Sequence, residues 1–413
     1  MAAIALQLRK IGRTRTNLSG VIAGSLLALG LYFPTSIGEQ PSTTLLGANY
    51  LVCFVLLSLL FFEAGDKPSF PVCITLLSIV PLLLVFTYTS NLHIYTFGAL
   101  SGYSVLSVLL IMNLRETRLP SPIFYLFGLV NVINILMGAA ILGGSDFVRQ
   151  ILITHYAIYY PELVPNMLFF RKPVLTFGTH SIAAFFLYLF FYANLQTYRL
   201  KGRKLFLIFA FCYLFLIAAL LSVSGLVLAA LGSLQLLWLF WFSVRRRWFW
   251  GGALLAVVGL IAGFQLLDSV LKNWTNVREG AKIILTSSDS GFLGRLTSGG
   301  TLRYSVEYLQ YHPFSPVGVA DREGLMFQDS GLVEYLLRGS IILVLLVYGG
   351  LFFFLKRSLL SRTDATWLFL VILGFELGFT ALTNFRALYL LPFIVAYLNG
   401  LRRNETSELF PST

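Results

Sequence analysis

The chain has 413 residues, 57% of them hydrophobic and only 12% charged, with a mean hydropathy of +0.80 and a formal net charge of +12. A soluble domain carries about 25% charged residues, so the composition excludes an ordinary soluble domain and points to a membrane protein. Apolar runs of about 20 residues broken by short charged punctuation fit helices that cross a bilayer, not the roughly ten-residue alternation of a transmembrane barrel.

The N-terminus carries Arg9, Lys10, Arg13 and Arg15 before its first apolar run. No small-x-small cleavage site closes that run, so it is expected to be an uncleaved first span. Twelve spans are expected, near 18–37, 44–63, 70–89, 92–113, 121–143, 179–198, 205–222, 225–243, 248–267, 331–355, 367–384 and 385–401. The expected fold is therefore all-α, a polytopic transmembrane helical bundle forming a single integral membrane domain over 1–413. Pro34, Pro81 and Pro392 fall inside spans, where each would kink its helix and leave carbonyls for neighbouring helices to satisfy. The three cysteines, Cys53, Cys73 and Cys212, also lie inside spans and read as small buried hydrophobes, without a disulfide framework or metal site.

Charge sets the expected orientation. With the N-terminus in the cytoplasm, every second connection collects the basic clusters: Lys67; Arg115 and Arg118; Arg199, Lys201, Arg203 and Lys204; Arg245, Arg246 and Arg247; Lys356, Arg357 and Arg362; Arg402 and Arg403. With the four N-terminal residues these make 19 of the 30 lysines and arginines, all in short segments where the positive-inside rule is strongest. Both termini then lie in the cytoplasm. The net positive charge becomes a topology signal and leaves little for nucleic acid to bind.

Two long loops fall on the opposite side, 144–178 and 268–330. Both are too rich in Tyr, Phe and Leu for disorder, and loops of this length are usually functional. They read as extracytoplasmic caps with short helices. The first holds Arg149, His155, Tyr156, Tyr159, Tyr160, Glu162, Arg171, Lys172 and Thr176, with His180 at its exit. The second is nearly neutral, six basic residues against seven acidic, so it is no general polyanion patch.

Within the second loop, Thr301 to Tyr311 fits a short helix ended by Pro313. Arg303 and Glu307 then stand at i and i+4, and Tyr304, Tyr308 and Tyr311 share an adjacent face. The pair is either a surface ion pair or a phosphate contact in waiting, since arginine offers a bidentate fork and tyrosines pack on sugar rings. His312 is either the cap of this helix or a group that exchanges protons near neutral pH. Asp329 is placed to cap the tenth span, which leaves it at the mouth of any site there. Arg338, Glu376 and Arg386 lie in or near the last three spans and read either as an internal Arg–Glu brace or as substrate contacts. Walker, zincin, Gly-x-Ser-x-Gly and Asp-x-Asp motifs are all missing, and four histidines (His93, His155, His180, His312) make a metal centre unexpected.

The layout, about twelve spans with two large external loops, resembles the O-antigen polymerase and O-antigen ligase superfamily of bacterial integral membrane glycosyltransferases. Three patches carry the resemblance: Phe170-Arg171-Lys172-Pro173 through Thr176-Phe177-Gly178-Thr179-His180; Gly300-Thr301-Leu302-Arg303-Tyr304 leading to His312-Pro313 and Gly318; and Asp329-Ser330-Gly331 followed by Leu336 and Gly339. The chain departs from the family at Ser224-Gly225, where Ser-Arg is common, and at Gly318-Val319-Ala320, where Gly-x-Gly is usual. It also has Asp329 where ligases place a histidine, which tilts the reading toward a polymerase.

The resemblance implies a GT-C-like membrane glycosyltransferase of O-antigen or other lipopolysaccharide or exopolysaccharide biosynthesis in the bacterial inner membrane, needing neither cofactor nor metal. An acceptor hydroxyl would displace undecaprenyl diphosphate from a lipid-linked glycan. Arg171 and Arg303 would hold the diphosphate, with Arg278, Arg295 and Arg322 in reserve. Tyr304, Tyr308 and Tyr311 would bind sugar, and Asp329, His312 and His180 are the candidate bases. Implied partners are the undecaprenyl-diphosphate-linked oligosaccharide, membrane lipids, and a chain-length regulator and flippase of the same pathway. The rival expectations are an O-antigen ligase acting on lipid A core and a lipid-linked oligosaccharide flippase. Midplane binding between broken helices, the transporter pattern, fits less well with polarity gathered in external loops.

Overall fold

The computed structural model describes residues 21, 24–38, 40–63, 94–117, 122–156, 163–243, 302–313, 316–318, 325 and 330–409. These are mostly helical. After a helical stretch at 24–32, a two-residue hairpin pairs β1 (Ser36–Ile37) with β2 (Gln40–Pro41), Ser36 opposite Pro41. The helices that follow are α1 (Thr43–Glu63), α2 (Ile94–Ile111), α3 (Pro122–Leu142), α4 (Asp146–Tyr156), α5 (Leu163–Phe169), α6 (His180–Lys201), α7 (Lys204–Ala219) and α8 (Val223–Ser243). After the second long loop come α9 (Arg303–Tyr311), α10 (Gly331–Ser358), α11 (Arg362–Glu376) and α12 (Phe385–Leu409), and a 3₁₀ turn at Leu175–Phe177 precedes α6. Among the described residues two helices, Ile123–Leu142 and Gly331–Ser358, are long and apolar enough to cross a membrane; Thr44–Ser58, Leu100–Ile111, Lys204–Ala219 and Ser224–Leu239 are shorter apolar helices.

The chain divides into two compact units. One combines residues up to Ile133, Ile151–Pro161 and Thr301 onward; the other combines Asn134–Gln150 and Glu162–Gly300.

In the first unit α12 is the buried helix. Residues from Phe385 to Leu401 are apolar almost all round, and a helix of that kind must be covered on every side. It packs on α1, α2 and α10, while α10 also packs on α2 and α11. The helix continues through Pro392, which was expected to kink it. Polar contacts gather at two ends. At one end Arg357 donates to the carbonyls of Ile111 and Met112 at 2.6 and 2.5 Å, closing the C-terminus of α2. Asn399 there donates to Leu114 O and Ser358 O and accepts from Leu360 N, and Arg402 pairs with buried Asp364 at 2.7 Å. At the other end Tyr50 donates to Thr383 O, Thr35 N to His155 O, and Tyr156 Oη to Tyr32 O.

In the second unit α6 is the buried helix. Every residue from Ile182 to Thr197 is buried, and α7 and α8 pack against it. Tyr188 reaches Gln235 on α8 at 3.0 Å, and Phe190 stacks on Tyr213 of α7. Thr179 caps the start of α6 by accepting from Ile182 N, and Gly202 ends it in the left-handed conformation, φ 66°, donating to Tyr198 O. Leu205, Ile208 and Phe215 on α7 and Leu226, Val227, Leu234, Leu237 and Trp238 on α8 stay exposed, apolar surface of the kind lipid covers.

Most expected spans coincide with a helix to within a few residues. The expected intervals 70–89 and 248–267 lie outside the described residues. The last two spans differ most: α11 ends at Glu376, and an eight-residue turn separates it from α12 where an almost direct connection was expected.

Candidate functional site

Among the candidate residues of the first loop, Arg171 stands at the end of α5. Its backbone N–H donates to Leu168 O at 3.0 Å and that of Lys172 to Met167 O at 3.0 Å, the paired bonds that close a helix C-terminus in a Schellman turn. The turn needs one residue in the left-handed region, nearly always glycine. Here it is Arg171, φ 53°, with a second positive φ at Leu175, 52°. An L-residue with a Cβ in this region costs about 1 kcal/mol, and a cost kept in place directs attention to what the side chain does. The guanidinium lies on the open face of Gly144, where an added Cβ would meet Cζ, Nε and Nη2 at 3.4 Å. Among the described residues the side chains of Arg171 and Lys172 make no hydrogen bond or ion pair.

Burial pushes the half-buried Lys172 ammonium down from its ordinary range. The turn therefore presents two adjacent cations, one of which gains from a nearby negative charge. From Pro173 to Phe177 the chain is buried, which anchors the turn. His180 is the first residue of α6, directly after the Thr179 cap.

In the first unit, α9 begins at Arg303 and packs on α10. Arg303 Nε donates to Glu307 Oε1 at 2.8 Å, so the expected i, i+4 pair forms, both side chains roughly half exposed; the pairing raises the Arg303 pKa. Tyr304 lies 5.9 Å from the Arg303 guanidinium and is 61% exposed, and Tyr311 is 80% exposed. Tyr308 is half-buried, its ring against His312 at 4.9 Å. His312 is the C-cap, its N–H donating to Tyr308 O. The three tyrosines therefore divide into two open rings and one that holds a histidine. Asp329, Arg278, Arg295 and Arg322 lie outside the described residues. The cap expected of Asp329 is supplied by Ser330, whose Oγ accepts from Val333 N.

The first turns of α10 carry a buried polar network. α10 is broken at Gly339 (φ −150°, ψ 22°) and Ser340 (φ 62°, ψ −167°), and Ser340 Oγ accepts from Ile342 N as the second half begins. The break frees carbonyls that a continuous helix would use internally, and backbone from the second loop takes them up. Val317 N donates to Leu337 O at 2.7 Å, Gly318 N to Arg338 O at 3.1 Å, and Arg338 Nη1 returns to Gly318 O at 3.1 Å.

Arg338 also lies 3.7 Å from Glu334 Oε1, which accepts from Tyr103 Oη. The brace expected of Arg338 thus forms with Glu334, one helical turn away; Glu376 has other partners. Its Oε1 accepts from Ala381 N and Leu382 N at 2.5 and 2.7 Å, and its Oε2 from Tyr348 Oη at 3.5 Å. Gly331 lies close beside it: a Cβ there would stand 1.8 Å from Glu376 Oε2, so the carboxylate would have to move. Arg386, fully buried, donates to Gly30 O and Leu31 O and lies over the rings of Phe385 and Tyr156.

Sequence reasoning missed Glu334, Tyr103 and Tyr348 of this network, and Tyr335, whose ring meets those of Tyr103 and Tyr348 edge to face. The Glu334/Arg338 spacing of four inside an apolar span was the available signal. It also missed the strain at Arg171, because arginine gives no sign of the glycine position it occupies. Arg171 and Arg303, expected to hold the same diphosphate, belong to different units and are each described within their own.

Among the described residues no three His, Cys, Asp or Glu side chains gather as a metal site would require. Comparison with protein-family models, with curated proteins and with solved structures finds no match to this chain.

Proposed function

We propose that this chain is a polysaccharide polymerase of a bacterial inner membrane, a twelve-span protein with both termini in the cytoplasm that joins undecaprenyl-diphosphate-linked repeat units on the outer face. The observation that carries the reading is Arg171. A cation kept at a left-handed position, beside a half-buried lysine and with no side-chain partner among the described residues, suits an anion that arrives with the substrate. Undecaprenyl diphosphate is such an anion.

In the proposed reaction a hydroxyl oxygen of the acceptor unit bonds to the anomeric carbon of the donor glycan. The bond from that carbon to the diphosphate oxygen breaks, and the diphosphate leaves with the electron pair. Negative charge grows on the leaving group, where Arg171 and Lys172 would compensate it. The hydroxyl proton passes to a general base, for which His312, His180 and Asp329 remain the candidates. The exposed rings of Tyr304 and Tyr311 on α9 have the open apolar faces that sugars stack on.

The test is transfer by purified protein supplied with lipid-linked repeat units. Wild type should build long chains on the lipid carrier, and Arg171→Gln should lower the rate by about 10²-fold, the scale of losing one transition-state charge contact, with the protein still folded. Normal chain length in the variant sinks the assignment of Arg171. Transfer of finished glycan to lipid A core, with no chain growth, replaces the polymerase by a ligase. Movement of lipid-linked units across the bilayer without any new glycosidic bond replaces it by a flippase.

A further inference from the structure

The two residues before Arg171 are phenylalanines in the open. Phe169 is 69% exposed and Phe170 42%, and their rings meet edge to face at 5.4 Å. Their helix has apolar Val164, Met167 and Leu168 on its buried side, so Phe169 and Phe170 are surplus to its packing. Four consecutive residues thus present an apolar aromatic edge and then two cations. The same turn carries the positive φ of Arg171, so strained backbone fixes the order of the two chemistries in space. Three residues past Gly144, on which the guanidinium rests, Phe147 is also 75% exposed.

We propose that Phe169 and Phe170 form the subsite for the hydrocarbon tail of a polyprenyl diphosphate whose head is held by Arg171 and Lys172. This rests on the polymerase reading for the identity of the lipid and deepens it by assigning the tail. The charge complement argues for a diphosphate over an ordinary phospholipid. A phosphodiester headgroup brings one negative charge, which Arg171 alone would match, and leaves the half-buried Lys172 uncompensated. A diphosphate brings at least two charges on adjacent phosphorus atoms, and consecutive cations meet both. A polyprenyl chain is apolar along its length, and aromatic edges beside the headgroup level are where such a chain enters a bilayer.

The experiment uses the full chain in detergent, with native mass spectrometry titrating three probes: undecaprenyl diphosphate, inorganic pyrophosphate and phosphatidylglycerol. Wild type should bind undecaprenyl diphosphate in preference to phosphatidylglycerol. Phe169→Ser combined with Phe170→Ser should weaken undecaprenyl diphosphate about tenfold, by loss of buried apolar contact, and leave pyrophosphate unchanged. Arg171→Gln should weaken both diphosphates. Both phenylalanines are exposed, so the double variant should fold, and an unchanged unfolding temperature checks that. Equal binding of undecaprenyl diphosphate by wild type and double variant overturns the subsite, and so does phosphatidylglycerol competing on level terms, which would make the edge a general lipid contact. The glycosyl-transfer assay separates the two ideas. No transfer by any form, with the lipid-binding pattern intact, sinks the polymerase and keeps the subsite. Transfer by a protein whose lipid binding ignores the phenylalanines does the reverse.

Discussion

Both carboxylate oxygens of Glu376, deep beside the first turn of α10, face donors, whereas the guanidinium of Arg171 lies exposed on Gly144 with no side-chain partner among the described residues. Glu376 holds together a turn, a helix start and a tyrosine, and Glu334 nearby is satisfied by Arg338 and Tyr103. A buried carboxyl group in this state is architecture, because each partner would be left unpaired without it. Arg171 inverts the arrangement. Its backbone is strained and its charge has no side-chain partner among the described residues, so the fold gives up stability to hold it where it is. The same residue classes, ionisable groups close to helix ends, therefore separate into bracing and binding by what surrounds them.

The contrast breaks first at Glu376. Replacement by alanine leaves the Ala381 and Leu382 amides buried without an acceptor, at about 1–3 kcal/mol each. Thermal unfolding in detergent should show a loss on the scale of both together. Glu376→Gln keeps one carbonyl for two amides and should fall between that variant and wild type. An unchanged unfolding temperature for Glu376→Ala would remove Glu376 from the architecture and return it to the list of possible substrate groups.

A smaller loss is expected at Gly331. A Cβ there would meet Glu376 Oε2 at 1.8 Å, so the carboxylate must shift and stretch its bonds to the amides, at about 1–3 kcal/mol for a forced repacking. Gly349 further along α10 has nothing within 4 Å of an added Cβ. Gly349→Ala should gain about 0.5–1 kcal/mol from helix propensity. Opposite signs for the same substitution in one helix would locate the constraint at the carboxylate and not in α10 as a whole.

The bracing half of this comparison was partly legible in the sequence and the binding half hardly at all. Apolar runs of fixed length predict where α3, α6 and α12 lie, because burying such a run as a helix leaves few choices. Local helix physics gave α9 and the Arg303–Glu307 pair from spacing alone. The partner of Arg338 was not so readable: a sequence shows that an ion pair is needed, but the choice between Glu334 and Glu376 depends on the break at Gly339–Ser340 and on the turn after α11. The cap moved from Asp329 to Ser330 for a similar reason, since either residue type can accept the amide and only the backbone decides. Left-handed backbone at Arg171 leaves no residue signature whatever.

That absence makes Arg171→Gly the most discriminating variant, although its effect on stability is the smallest. Glycine takes φ 53° without the Cβ clash, which should return about 1 kcal/mol, less a few tenths for the greater freedom of glycine in the unfolded chain. If Arg171 merely packs on Gly144, deleting its side chain forfeits that contact and the unfolding temperature falls. If it is held for a ligand, the unfolding temperature rises by a small amount while binding of undecaprenyl diphosphate is lost. Arg171→Ala separates the two contributions, because it removes the guanidinium and keeps the strained backbone: it should bind as poorly as the glycine variant and be no more stable than wild type. A gain in stability paired with a loss of binding is the signature of a residue that the fold carries for something else.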